Sequence, residues 1–574
     1  VDAVKFFSKD YEEFKLIYEG KSGVISLSHD PADGAEYKRY LRLKTSGLNE
    51  SIYTLDNLET LPKYEALLGF LPYSLVRNPQ SAFLVGYGGG YTTDFLTRST
   101  LKKVHVVELE EGVLKAADIV YEGKNPILQR PNLELDINDA RYILASQPGR
   151  SYDMILSQPS HSWLTGVANL FTREFFEIVR SRLSDKGIFS QWLNLYNMDP
   201  TVLKSILRTF YEVFPYGAVF TQLGDQEMIL IGSVRPVELN LRKMEQLARD
   251  AKLGRQLSQI PFQSGYDVAA QISLSRGDVL KSVGDARINT DVNAYAEVGQ
   301  TRLFYQKPGA DSDPQAFLEG AFTGDYSEVV HIAESGLPAL YEGVLRSLKE
   351  QRKYSRMLTV LANYERATLA GTLDADAYSR LGYWCLQAER YQSASKYLAE
   401  SLKLKSDPRT LQLLLGAQVS LRDFVGAASL VTRGRAQLTD ASRCFAAHAL
   451  VENGGVEKAR AAFAPLESDA AKYKEACGSY YDRVMGTYRL AQNRYRDAIP
   501  YLEAYYAAFA SDVRIISGLV ASYIKIEDWD NAKSFSAYLQ QAIDQDARHR
   551  TDMGAMFRKK GWNEDAEGLE KLKL

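Results

Sequence analysis

Between residues 80 and 235 the chain alternates compact apolar runs with segments whose apolar residues recur every three or four positions. The runs are "SAFLVGYG", "KVHVVEL", "NLELDI", "YDMILSQ", "GIFSQWL", "AVFTQL" and "EMILIGS". Each is short and bounded by polar or turn-forming residues, as buried strands are. The intervening segments, such as "FTREFFEIVRSRL", carry the helical period. Alternation of this kind predicts a parallel sheet covered by helices. Only "GDQ" separates the last two runs, too little for a crossover, so those two form an antiparallel hairpin.

Five parallel strands closed by a hairpin predict an α/β Rossmann-like, methyltransferase-type sheet rather than a dinucleotide dehydrogenase. Upstream, "GVISLS", "YKRYLRLKT" and "SIYTL" predict β hairpins, followed by a helix at Tyr64–Leu75. Residues 236–310 read as a mixed helical extension in which "KPGADSDPQ" opens a linker. The expected organisation is therefore 1–78 hairpins and gate helix, 79–235 nucleotide-binding sheet, 236–310 extension and linker, and 311–574 helical.

In that last part strand signals are absent and a small residue recurs, usually after an aromatic one: Ala394, Ala428, Ala459, Ala498, Ala532 and Ala566. Three of the five intervals are 34 residues, and the two irregular ones flank Ala459, the poorest copy. A second small position precedes four of them by 12 residues, at Gly382, Gly416, Gly486 and Gly554. Two helices cross closely only where the contact residue is small. The period and pattern resemble tetratricopeptide repeats, which implies an α-helical array with a concave surface for a protein partner.

The most chemical stretch is "FLVGYGGGYTTDFLTRSTLKKVHVVELEEGVL", Phe83 to Leu114. Gly86, Gly88 and Gly90 form G-x-G-x-G between a strand and a helix, where missing Cβ atoms let backbone approach a ligand. A pyrophosphate site prefers G-x-G-x-x-G, and the sixth position here is Tyr91. Glu108 ends the next strand, where a carboxylate accepts from ribose hydroxyls. Asp139, followed by Ala140, stands after the third strand, placed to receive an adenine amino group. Together these predict an adenosine ligand at the carboxyl edge of the sheet.

Composition narrows the rest. Hydrophobic residues are 45% and charged residues 25%, with a net charge of −3, which points away from nucleic acid as the main partner. Cys385, Cys444 and Cys477 are far apart, match no metal spacing, and are expected to be reduced and buried. No metal site is expected, and no apolar run is long enough to span a membrane.

The hairpins leading into "YEALLGFLPYSL", the glycine turn, "VVELEEGV", "INDARYIL" and "YDMILSQPSHSWLTGVANLFTREFF" resemble the spermidine synthase family, the aminopropyltransferases. The likeness covers residues 15–300. It is closer to a divergent branch often fused to membrane transporter-like segments, through Ser157–Trp163, Gly166–Phe175, Gln191–Trp192 and Ile288–Asp291. The resemblance implies that Gly86, Gly88, Gly90, Tyr91, Glu108, Asp139, Ala140 and Gln191 hold S-adenosylmethionine or its decarboxylated form. It implies transfer of the donor's three-carbon chain to an amine, with release of methylthioadenosine. It also implies self-association through the hairpins and a cytoplasmic location, with this chain as the soluble part of a membrane-associated protein a further option.

Two departures from the family pattern bear on chemistry. Gly89 replaces an acid in the turn, and Ser157 replaces the Asp expected to deprotonate the amine. Serine cannot take a proton from an ammonium near neutral pH. Three enzymatic routes stay open: an amine activated by Glu65, Asp94 or His161, with Tyr64 and Gln158 nearby; closure of intact S-adenosylmethionine by its own carboxylate; or methyl transfer. Loss of acids near the donor's tail favours the second on electrostatics. A fourth reading is a non-catalytic repeat scaffold. Trp163 and Trp192 serve as packing or stacking residues, and Asp291 as a turn former.

Overall fold

The computed structural model describes residues 12–30, 34, 36–58, 62–159, 161–221, 226–250, 252–253, 257, 262–300, 313–328, 336–434 and 438–572. Ser160 and most of the expected linker lie outside them. By internal packing the chain divides into two units, 1–356 and 357–574.

The first unit contains two sheets. Strands β1 (Glu13–Glu19), β2 (Val24–His29), β3 (Tyr40–Thr45) and β4 (Leu48–Thr54) form an antiparallel meander. β1 lacks a clean alternation and was not expected from the sequence: Phe14 and Ile17 are exposed on this edge strand. Helix α1 (Lys63–Leu75) follows. The main sheet comprises β5 (Ser81–Val85), β6 (Lys103–Glu108), β7 (Leu133–Ile137), β8 (Tyr152–Ser157), β9 (Leu183–Asn194), β10 (Tyr216–Phe220), β11 (Glu227–Ser233) and β12 (Ile272–Ser275). Their spatial order is β12-β10-β11-β9-β8-β5-β6-β7.

β7, β6, β5, β8 and β9 are parallel, β11 is antiparallel to β9, and β10 pairs antiparallel with β11. The seven strand runs and the closing hairpin thus stand where periodicity put them. β12 is a correction to the helical extension: "ISLS" is only four residues, too short to show a period, and is recruited by pairing antiparallel with β10. Its four residues are all buried.

Helices α2 (Tyr91–Arg98), α3 (Glu111–Val120), α4 (Ala140–Ser146), α5 (Arg173–Arg182) and α6 (Pro200–Val213) connect the strands. The core between α5, α6 and β9 is aromatic: Phe176, Phe189, Phe210 and Phe214 are fully buried, with Phe189 and Phe210 stacked at 5.6 Å. Each such ring contributes about 2–3 kcal/mol by leaving water. This anchors the carboxyl ends of β8 and β9. Helices Pro314–Ala321 and Gly336–Glu350 pack with the first unit: Leu318 joins this core, and the Ser347 hydroxyl donates to Asp267 at 2.6 Å.

The second unit is helical throughout its described residues. Helices pair as Ala375–Gln387 with Tyr391–Leu404, Pro408–Ser420 with Phe424–Gly434, Tyr480–Ala491 with Tyr495–Ala508, and Val513–Lys525 with Trp529–Lys559. The recurring small residues sit at crossings. Ala394 and Ala498 are fully buried, and a Cβ on Gly382 or Gly486 would stand 2.4 or 2.6 Å from Leu398 or Leu502. The turns recur too, with Glu389, Arg422, Asn493 and Glu527 all at positive φ. Trp529–Lys559 runs as one helix through two expected ones, because no Pro or Gly interrupts the sequence before Gly554.

The cysteine expectation is corrected here. Cys444 and Cys477 form a disulfide, and only Cys385 is free and buried. They lie 33 residues apart, about one repeat. Packing of Ala470–Cys477 against Asp440–Ser468 brings together two cysteines that the linear spacing leaves unrelated. Among the described residues no helix is long and apolar enough to cross a membrane.

Candidate functional site

The glycine turn begins where β5 ends. Gly86, Gly88 and Gly90 have φ of 88°, 54° and 79°, a region that residues with a Cβ adopt at a cost. The Gly86 N–H donates to the Val107 carbonyl at 2.9 Å, tying the turn to β6. A Cβ on Gly86 would reach the Gln158 carbonyl at 3.4 Å, and one on Gly90 would meet the Tyr87 ring at 2.6–3.0 Å. Gly86 and Gly88 thus expose backbone to a cavity, whereas Gly90 makes room for Tyr87.

Glu108 is buried at the end of β6 and accepts the N–H groups of Tyr87 at 2.7 Å and Glu110 at 2.9 Å. Burial pushes its carboxyl upward, and backbone N–H groups from Glu110, Tyr87, Gly88 and Leu109 oppose that. Glu110 accepts from the backbone of Lys21 and from both the N–H and hydroxyl of Ser22, which clamps the β1–β2 turn beside the site. Asp139 caps α4, its Oδ1 accepting from the Tyr142 N–H at 3.1 Å.

Gly86, Gly88, Glu108, Asp139 and Ala140 line one cavity of about 450 Å³. The N-terminal sheet adds Leu43, Thr45 and Ser46, and the segment after β8 adds Leu164 to Val167. Apolar walls that also carry the carboxylates of Glu50, Glu108, Glu110 and Asp139 suit a nucleoside.

A second cavity of about 380 Å³ adjoins it, and the two share Glu50, Gly88, Gln158 and Pro159. Its distinctive lining is Tyr64, Glu65, Trp192, Tyr196 and Glu227. Three carboxylates and one cation, Lys63, therefore line one space, the acids being Glu50 from β4, Glu65 from α1 and Glu227 from the first position of β11. Burial, and then the charge of Glu227, raise the Glu65 carboxyl to about 7. Trp192 donates its indole N–H toward Glu227 at 3.4 Å. The Thr92 hydroxyl lies 3.2 Å from the Glu65 carbonyl and 3.1 Å from Gln158 Oε1, which fixes the Gln158 amide between the cavities.

Not every residue singled out in the sequence lines these spaces. Ser157 and Gln191 are fully buried under the floor, at paired positions of β8 and β9. The Gln191 amide donates to the Trp192 carbonyl at 3.1 Å. His161 stacks on Trp163 at 4.8 Å and meets the Tyr196 ring edge-on at 5.8 Å. Burial holds its pKa below the usual imidazole value.

Asp94, expected as a base, is instead taken by Arg98 at 2.9 Å and Arg130 at 3.5 Å. Tyr91, expected to touch the ligand, gives its hydroxyl to the Ile52 carbonyl at 2.9 Å and packs on Tyr53. Asp291 pairs with Arg141 and accepts from Thr172 at 2.7 Å, a structural tie behind the nucleoside cavity.

Sequence reading missed Glu50, Tyr196 and Glu227. Glu227 carried a faint signal as the lone charge opening "EMILIGS", since a strand so apolar rarely opens on an acid without use for it. Glu50 in "LNESIYT" carried none.

Residues 61–223 match the family model of the spermine/spermidine synthase domain. Putrescine N-methyltransferase 3 of Nicotiana tabacum is 24% identical over 216 residues, covering 36% of this chain and 55% of that protein. The polyamine aminopropyltransferase of Bacillus subtilis (strain 168) is 23% identical over 159 residues, covering 28% and 57%. The chain thus spans little more than half the length of these relatives. Among solved structures, spermidine synthase from Thermotoga maritima aligns with a TM-score of 0.32 and 19% identity, over 39% of this chain and 73% of that one.

Proposed function

We propose that the chain is a transferase that moves the three-carbon chain of a sulfonium nucleoside, S-adenosylmethionine or its decarboxylated form, to an amine. The observation that carries this reading is the pair of cavities meeting at Gly88, Gln158 and Pro159, one shaped for a nucleoside and the other walled by three glutamates. The acids lost from the turn and from position 157 are replaced by acids from β4, α1 and β11. That favours an amine acceptor over self-closure of the donor, which has no use for an anionic neighbouring pocket. Both relatives described above carry an amine in their names, which supports the same direction.

Glu65 acts as the proton acceptor. An acceptor enters as an ammonium, drawn in by Glu50 and Glu227. Glu65 takes one proton and leaves a neutral amine with a free lone pair. That lone pair attacks the carbon bound to sulfur, the C–S bond breaks, and its electron pair goes to sulfur. Methylthioadenosine leaves as a neutral thioether. A carboxyl near pH 7 suits this task, being ionised for a useful fraction of the time and still basic enough to accept. Alignment supplies most of the remaining rate.

Methyl transfer to the same amine is the second reading, because a methyltransferase is among the relatives. It uses the same residues and differs only in which carbon faces the acceptor. Calorimetry tests the two-cavity arrangement. Methylthioadenosine and putrescine should bind together, and Glu227→Gln should weaken putrescine alone. Competition between the two ligands, or equal loss of both, would overturn it.

A further inference from the structure

The second unit closes on itself. Its last helix, Asn563–Glu570, packs against Tyr391–Leu404 near its start. Arg390 is buried in that seam, with Nε 3.0 Å from Asp565, Nη1 2.9 Å from Glu365, and its guanidinium 3.7 Å from the Trp562 ring centre. A linear array would leave its inner surface open. Here a half-open cavity of about 390 Å³ is lined only by residues of this unit.

Four arginines line it: Arg422, Arg483, Arg514 and Arg550, each from a different helix or turn. Three have a carboxylate each. Arg483 pairs with Asp512 at 2.8 Å, Arg514 with Glu452 at 3.5 Å, and Arg550 with Asp546 at 2.8 Å. Arg422 is different. Among the described residues its half-buried guanidinium makes no ion pair or hydrogen bond, although it lines the same space as the other three. After burial itself, the charges of Arg514, Arg550 and Arg483 disfavour its own charge, and Asp546 opposes them. Holding a cation there with no carboxylate in direct contact costs stability. Aromatic rings line the same space, with Tyr480 and Tyr505 within 6 Å of Arg483.

We propose that this cavity is an oxyanion site, taking a phosphate or carboxylate group of a small molecule on Arg422 and its neighbouring arginines. Guanidinium groups match planar or tetrahedral oxyanions with paired N–H donors. An oxyanion would give Arg422 the direct partner that Asp512, Glu452 and Asp546 give the other three, and the one further carboxylate of the lining, Glu389, is taken by His549 at 2.8 Å. The site is separate from the transferase cavities and stands whether or not the transferase reading holds.

Thermal unfolding of the full chain, at constant ionic strength set with sodium chloride, tests this. Inorganic phosphate and, separately, acetate are titrated into the wild type, Arg422→Gln and Arg422→Lys. At least one probe should raise the midpoint saturably in the wild type, partly in Arg422→Lys, and not in Arg422→Gln. Which probe does so separates a phosphoryl from a carboxylate ligand. Without either probe, Arg422→Gln should unfold at or above the wild-type temperature, because a repelled charge is gone. No saturable response to either probe, or an equal response in Arg422→Gln, overturns the proposal. So does a clear loss of stability in Arg422→Gln without probe, which would make Arg422 a structural residue.

Discussion

Replacing Glu65 by Gln removes the proposed base and a strained charge together, and the two effects have opposite signs. The carboxyl rises from its ordinary 4.5 to about 7, through burial first and Glu227 second. That displacement corresponds to about 3 kcal/mol of preference for the neutral form. Because the side chain borders a cavity, roughly 1–3 kcal/mol is the effect expected in stability. A carboxyl raised on folding gives its full contribution below the unfolded value and loses it as pH rises through about 7. Wild-type protein should therefore lose this stability between pH 5 and 8, and Glu65→Gln should not. Urea unfolding at both values measures it: near coincidence at pH 5, with the variant ahead at pH 8.

Activity should move the other way. Glu65→Gln should lower kcat by about 10²–10⁴, and the wild-type rise of rate with pH near 7 should disappear. In Glu227→Gln that rise should shift toward acid, since one repelling charge is gone. A Glu65→Gln enzyme with the wild-type rate and profile would refute the reasoning, as would a Glu227→Gln profile that stays in place.

Further outcomes follow from other parts of the molecule. Glu108→Gln should abolish the thermal stabilisation that methylthioadenosine gives the wild type, which is measurable by melting with and without the nucleoside. Reducing the Cys444–Cys477 disulfide, which closes a loop of 33 residues, should cost the second unit about 3–4 kcal/mol, seen as an earlier urea transition in dithiothreitol. Arg390→Ala leaves Glu365 and Asp565 facing one another at a buried seam and should destabilise that unit by about 3–5 kcal/mol, followed by circular dichroism. Asp94→Asn should slow catalysis little, because its carboxylate is held by Arg98 and Arg130.

The main sheet was legible because each buried strand is a continuous apolar run between turn residues, and the order of connections leaves few topologies. The nucleoside cavity was legible for a related reason: Gly86, Gly88, Glu108 and Asp139 all lie at strand ends, where open sheets bind ligands. The amine cavity was not. Glu50, Glu65 and Glu227 come from three elements far apart in the chain, and no local pattern links them. Asp94 and Tyr91 looked functional because they follow the glycine turn closely, yet one helical turn carries each away from the cavity into its own partners. The disulfide was hidden for the same reason as the acids, since it joins residues brought together only by helix packing.

Product analysis is the most direct measurement. Purified protein is incubated with S-adenosylmethionine or its decarboxylated form, with and without putrescine, and the products are identified by mass. Methylthioadenosine and an aminopropylated or carboxy-aminopropylated amine should form in equal amounts, only when putrescine is present. Methylthioadenosine released equally without any amine, or donor left unchanged in every mixture, would contradict it.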